Sequence, residues 1–219
     1  MILFFIIVGV ELYGESKENT KIFYASKPLA MPLLILFYVF GVVNSVGVNR
    51  VDWLIVIALI GGMAGDIFLM LKSQEKWFLF GMIGFLINQI FYVISFFIGV
   101  GNLTLFNAWG LFLFGPVVFI IGFMVPRFIK KTEDLKIPVL VYIGAILLMH
   151  TAAVVRLALI QEISNIFIYL GSILFIFSDS ILAMIKWEGE FKHGRLINLI
   201  TYFFAQFYIA LGALLSVLP

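Results

Sequence analysis

Apolar runs, most of them roughly 17 to 25 residues long and separated by short clusters of charge, leave this chain few ways to fold. None alternates polar and apolar positions with period two, as the strands of a membrane barrel must, so each run has to satisfy its backbone hydrogen bonds internally, as a helix. Hydrophobic residues make up 63% of the 219 and charged residues 12%, at a mean hydropathy of +1.17. That is too little polar surface to cover a water-soluble globule. The reading is an all-α integral membrane bundle, one transmembrane helical domain over residues 1–219. Its spans number about eight, at about 1–14, 26–43, 52–71, 76–99, 104–126, 136–157, 164–187 and 195–218. The first run reads as a retained span: no basic residues precede it, and Glu11-Leu12-Tyr13-Gly14-Glu15 is a poor cleavage context. Lys27-Pro28 opens the second span, where a helix start tolerates proline, and Pro32 is placed to kink the entry. No span looks broken at its middle.

Charge then sets orientation. Lys17, Lys21 and Lys27, Lys72 and Lys76, Arg127, Lys130, Lys131 and Lys136, and Lys186, Lys192 and Arg195 fall in the first, third, fifth and seventh connections. Only Arg50 and Arg156 lie in the others. By the positive-inside rule the odd connections are cytoplasmic and both termini face outward, as expected of a multi-pass protein of the cell (inner) membrane. The absence of cysteine excludes disulfides, thiol nucleophiles and cysteine metal sites. With only His150 and His193, a three-histidine centre cannot be built, so no metal is expected. A one-sided net charge of +2 argues for membrane lipid and against nucleic acid as partner.

Two acids interrupt this apolar background. Asp66 follows Gly61-Gly62-Met63-Ala64-Gly65, and Asp179 lies in Phe175-Ile176-Phe177-Ser178-Asp179-Ser180. An ionised carboxylate at such depth costs roughly 2.5 to 3.5 kcal/mol even on mild insertion scales, so each is a functional candidate. Counted from Lys72 and Lys186, both lie about 9 to 11 Å inside the same boundary. The functional reading is a pair of catalytic carboxylates, one neutral and able to donate a proton, the other ionised. The structural alternative is ion pairing that fixes the bundle, for instance Asp66 with Lys27. Glu11, with Lys27 as its nearest partner, joins the same slab. So do Tyr142 and the Tyr202/Gln206 pair, which four-residue spacing puts on one helix face. Gln89 and Tyr92 form a similar pair nearer the midplane. These residues and Ser178 are candidates for substrate binding, against the plainer role of interhelical hydrogen bonding. Lys27 reads equally as a snorkelling lysine, His150 as a packing histidine and Arg156 as interfacial.

The two halves also match in order. Gly65-Asp66-Ile67-Phe68-Leu69 resembles Ser178-Asp179-Ser180-Ile181-Leu182, Lys27-Pro28 resembles Lys136-Ile137-Pro138, and Gln89 matches Gln206. This suggests a parallel four-plus-four repeat with the two aspartates facing across its axis, against the alternative of chance likeness between apolar helices.

At these residues the chain resembles the YhhN family of multi-span membrane proteins, whose characterised animal members are lysoplasmalogenases. The matching segments are Lys27-Pro28-Leu29, Gly65-Asp66-Ile67-Phe68-Leu69, Tyr142, residues 174–183 and Thr201-Tyr202-Phe203-Phe204-Ala205-Gln206, in the family's order and over nearly the whole chain. Where the family usually has a histidine three residues before a tyrosine, this chain has Gln89 before Tyr92. The resemblance implies hydrolysis of the vinyl ether of a lysoplasmalogen, a lysophospholipid, to a fatty aldehyde and a glycerophospho-ethanolamine or -choline. Protonation of a vinyl ether carbon followed by addition of water needs one neutral acid, a nearby anion and a placed water, and no cofactor. Asp66 and Asp179 would be that acid and base. The rival is a proton-coupled transporter of lipid or small solute, against which the short loops and unbroken spans count.

Overall fold

The computed structural model describes residues 1–71, 75–98, 100 and 108–219. Among them the chain forms helices α1 (Ile2–Ser16), α2 (Thr20–Val46), α3 (Trp53–Met70) and α4 (Glu75–Phe97). An irregular crossing follows, and then α7 (Lys136–Leu159), α8 (Ile163–Glu188) and α9 (Gly194–Leu215). Among the described residues, seven segments are long and apolar enough to cross a membrane. The eighth, α1, has 15 residues and spans about 22 Å, short of a ~30 Å hydrocarbon core.

One sequence expectation is corrected. The second span does not open at Lys27-Pro28: Asn19 caps α2, its side chain accepting from the Ile22 amide at 3.2 Å. Two polar turns thus precede the apolar run, and Lys27, Pro28 and Pro32 lie inside the helix. The fifth crossing, expected at 104–126, is a continuous but irregular helix. It runs as a 3₁₀ stretch Ala108–Phe114, α5 (Gly115–Phe119), a π turn Ile120–Met124 and α6 (Val125–Phe128), in a segment containing Gly110, Gly115-Pro116, Gly122 and Pro126. Its expected first residues, 104–107, lie outside the described residues, as does Lys72.

The connections α1/α2, α3/α4, α6/α7 and α8/α9 share one end of the bundle. Tyr24 there donates to the Met70 carbonyl at 2.8 Å, Arg195 meets Glu15 at 3.6 Å, and Arg127 meets Glu188 at 2.5 Å. At the other end the Asp52 amide donates to the Tyr38 hydroxyl (3.1 Å), Ser95 donates to Asp52 (2.5 Å), and Arg156 ties the Phe96 and Ile98 carbonyls to Asn165. Arg156, at the end of α7 as an interfacial residue would be, also links the helix ends there. Apart from Lys27, the described basic residues of the odd connections gather at the first end.

The closest helix pairs are α3 with α4 and α8 with α9. Small residues set these approaches. A Cβ on Gly84 would stand 2.6 Å from the Gly65 amide nitrogen, and one on Gly212 2.5 Å from the Ser164 carbonyl. α2 packs on α3 as α7 packs on α8, and α4 meets α7 as α9 meets α2. These pairings recur in the two halves. Depth can be followed through the contacts. Gly65 sits against Gly84 and Phe85, Phe78 meets Trp187 with ring centres 5.9 Å apart, and Gly84 and Asp179 lie six and eight residues deeper than those rings. Asp66 and Asp179 are thus about 9 and 12 Å inside one level.

Candidate active site

The first constellation grows from α1, α2 and α3. Glu11, Lys27 and Asp66 are 0%, 7% and 4% exposed, so Lys27 does not snorkel. Its Nζ stands 3.7 Å from Glu11 and 3.8 Å from Asp66, and lies 5.0 Å from the centre of the Phe23 ring. One ammonium serves two buried carboxylates, and neither Glu11 oxygen accepts a hydrogen bond. Asp66 is better held: Tyr202 donates to its Oδ2 at 2.8 Å. Gln206 then donates to the Tyr202 oxygen at 3.4 Å and accepts from Tyr92 at 2.5 Å. The spacing of Tyr202 and Gln206 on one face of α9 thus joins five helices in one polar chain, from Glu11 on α1 to Tyr92 on α4.

The second constellation belongs to α7 and α8. Tyr142 donates to Asp179 Oδ2 at 2.7 Å. Asp179 is half-buried because it lines a pocket, while Asp66 is closed in. The pocket is an open groove around a cavity of about 80 Å³, and its wall is apolar apart from Asp179, Ser180 and the Tyr142 hydroxyl. Phe85 of α4, Ile120 and Met124 of the π turn and Ile176 of α8 line it, and Trp187 stands toward its outer end. A π turn in that wall follows a pattern common at functional sites. Gln89 lies beside the Tyr142 hydroxyl, yet neither end of its buried amide makes a hydrogen bond.

The two aspartates share no partner. Asp66 is bound by Lys27 and Tyr202, Asp179 by Tyr142, and Phe85 stands between the two sets. Its ring meets Tyr202 edge-on with centres 5.6 Å apart and also lines the Asp179 pocket. Asp66 is linked to that pocket through Leu69, one turn further along α3, which lines it. Ser178 points elsewhere: it donates to the Asn198 carbonyl at 3.2 Å and accepts from the Asn198 amide at 3.0 Å, joining α8 to α9. Its neighbour Ser180 lines the pocket instead. His150 is buried between Ser172 (2.8 Å) and the Leu113 carbonyl (3.2 Å), where it anchors the fifth crossing to α7 and α8. Among the described residues, no group of three or more histidine, aspartate or glutamate side chains is placed to hold a metal ion.

Sequence reasoning passed over Phe85, whose two-sided position shows in no motif. The sequence offers Lys27 or loop arginines as holders of a lipid phosphate, but the joining of Arg127 and Lys131 to Glu188 is not legible in it. The signal available for those three was the placement of Glu188 directly after Trp187 and Lys186 at the end of a span.

No curated protein and no solved structure matches the chain significantly. A model of the YhhN family matches residues 22–213, and the chain belongs to that family.

Proposed function

We propose that this protein hydrolyses the vinyl ether of a lysoplasmalogen, with Asp179 as the proton donor. The observation that carries the proposal is the Tyr142–Asp179 pair in the wall of an otherwise apolar pocket. An alkenyl chain fits such a lining, and the polar pair marks one spot along it for chemistry. Asp179 in its acid form transfers its proton to the vinyl carbon remote from oxygen, and the electrons of the double bond form the new C–H bond. The positive charge that develops on the oxygen-bearing carbon is shared with the ether oxygen, beside the carboxylate just formed. Water adds to that carbon and returns a proton to the carboxylate. The resulting hemiacetal collapses to an aldehyde and an alcohol, so one water is consumed and no proton is lost.

The surroundings of the two aspartates suit a division of roles. Among the described residues no ion pair reaches Asp179, whose Oδ2 is held by the Tyr142 hydroxyl in an apolar wall, a setting that suits a proton donor. Asp66, with Lys27 and the Tyr202 hydroxyl, has what an ionised carboxylate requires. In this reading Asp66 acts from behind Phe85, as a fixed negative charge and the end of the polar chain, while Asp179 meets the substrate. Tyr142 and Gln89 would hold the attacking water.

Purified protein given lysoplasmenyl-ethanolamine should release fatty aldehyde. Asp179→Asn should abolish that release while the protein stays folded and monodisperse, and Asp66→Asn should lower it strongly. Full turnover by Asp179→Asn would overturn the assignment. The buried Glu11–Lys27–Asp66 group favours a second reading, a proton-coupled carrier. Proton flux in liposomes with the lipid left intact would establish that reading in place of hydrolysis.

A further inference from the structure

Where the pocket reaches the basic end of the bundle, three charges meet. Arg127 grips Glu188 through Nε and Nη2, at 2.8 to 2.9 Å and 2.5 Å, and Lys131 reaches the other side of that carboxylate at 2.9 Å. Two cations on one carboxylate leave a positive charge over. Both cationic side chains remain nearly half exposed, at 46% and 47%, so part of each is open to a further anion. The cluster adjoins the pocket on two sides: Glu188 directly follows Trp187, and Arg127 is one turn beyond Met124, both pocket residues. A third cation, Lys186, lies over the ring of Phe78 at 4.6 Å, and Phe78 is also in the wall.

We propose that the Arg127–Lys131–Glu188 cluster is a binding site for the phosphate of a single-chain phospholipid whose hydrocarbon tail fills the pocket. The inference rests on the proposed reaction only for the identity of the tail.

Length supports it. Asp179 and Glu188 are nine residues apart on α8, about 13.5 Å along the axis. In an extended lysoplasmalogen, seven bonds separate phosphorus from the vinyl carbon that receives the proton, about 9 Å. A phosphorus bonded through its oxygen to a guanidinium stands about 4 Å from the nitrogen. The two lengths together match the axial rise from the charge cluster to Asp179; because nine residues put Glu188 on the face of α8 opposite Asp179, the phosphate has to sit on the pocket side of Arg127 and Lys131 for the vinyl ether to stand beside the acid. Arginine suits the task because its fork of donors can serve Glu188 and a phosphate oxygen at once. The ammonium of an ethanolamine or choline group would then extend past the cluster into water.

Binding can be read without turnover, by following the fluorescence of Trp187 in the pocket wall as a non-hydrolysable ligand is added. The ligands are an alkyl lysophosphoethanolamine and the alkylglycerol of the same chain length in detergent micelles, with Trp187→Phe as the signal control. The native protein should bind the phospholipid more tightly than the glycerol. Arg127→Gln/Lys131→Gln should weaken phospholipid binding about tenfold, leave alkylglycerol binding within about twofold, and so remove the preference. Arg127→Lys should keep part of it, and Lys192→Gln, a loop lysine at the same end, should leave it unchanged.

Equal weakening of both ligands would make Arg127 and Lys131 mere supports of the pocket and overturn the site, as would an unchanged preference. Displacement of the phospholipid by millimolar inorganic phosphate would assign the cluster to a free anion, and overturn it too. Phosphate-dependent binding together with no aldehyde release from lysoplasmenyl lipid would retain this site while rejecting the proposed reaction.

Discussion

Lys27 gives the sharpest stability prediction, because its loss and the loss of Glu11 should have very different costs. Lys27→Met leaves two fully enclosed carboxylates without their shared ammonium. Breaking a buried pair in this way costs about 3 to 5 kcal/mol. Glu11→Gln should cost less than about 1 kcal/mol, since it removes one desolvated charge and leaves Lys27 with Asp66. The geometry is the reason: Glu11 touches Lys27 only at 3.7 Å, and neither of its oxygens accepts a hydrogen bond, whereas Asp66 also has Tyr202. The double variant Glu11→Gln/Lys27→Met strands one carboxylate instead of two, and should be more stable than Lys27→Met alone. Unfolding by SDS titration in mixed micelles, followed by circular dichroism, measures all three. Equal losses for Glu11→Gln and Lys27→Met, or a double variant weaker than Lys27→Met, would refute the idea that one ammonium neutralises this cluster.

Other outcomes follow from separate contacts. Gly84→Ala should cost about 1 to 3 kcal/mol in the same titration, because the added carbon meets backbone of α3, while Gly144→Ala, with nothing within 4 Å, should be neutral or stabilising by up to about 1 kcal/mol. A Gly84→Ala protein as stable as the parent would remove the close α3–α4 approach from the account. Tyr142→Phe should reduce aldehyde release about 10- to 100-fold, the worth of one hydrogen bond to a charged or reacting group, without loss of folded protein. Unaltered turnover would leave the Tyr142 hydroxyl no part in the reaction. The chain has no cysteine, so single cysteines report topology directly. Lys130→Cys should react with an impermeant maleimide only from the cytoplasmic side and Arg50→Cys only from outside; the reverse pattern would invert the orientation that the charges predict.

The helical segments were legible because hydropathy and length alone decide them: α3, α7 and α8 begin and end within a few residues of their apolar runs. The start of α2 was not. Thr20 and Lys21 are polar, and a reading that equates helix with apolar run opens the span at about 26 with Lys27-Pro28 at its start, although Asn19 and not hydropathy begins the helix. That error moved Lys27 to the membrane surface, when it lies two turns inside its helix. The polar members of the site were legible as expensive residues in oil, and so was the link between Glu11 and Lys27. Their grouping was not. Whether Asp66 and Asp179 face one cavity depends on where Phe85 points, and a phenylalanine in a run of Phe, Leu and Ile carries no signal of its orientation. The irregular winding of the fifth crossing goes with Gly115-Pro116, Gly122 and Pro126, but membrane helices tolerate glycine and proline often enough that their presence does not announce a π turn.

The central claim is that Asp179 puts a proton on carbon, and turnover in heavy water tests it at the bond concerned. Lysoplasmenyl-ethanolamine is incubated with the purified protein in D₂O, the aldehyde is reduced as it forms, and the alcohol is weighed by mass spectrometry. Carbon protonation predicts one deuteron at the position next to the former carbonyl in the native protein, and no labelled product from Asp179→Asn. Product without deuterium at that carbon, or the same labelled product from Asp179→Asn at the native rate, would contradict it.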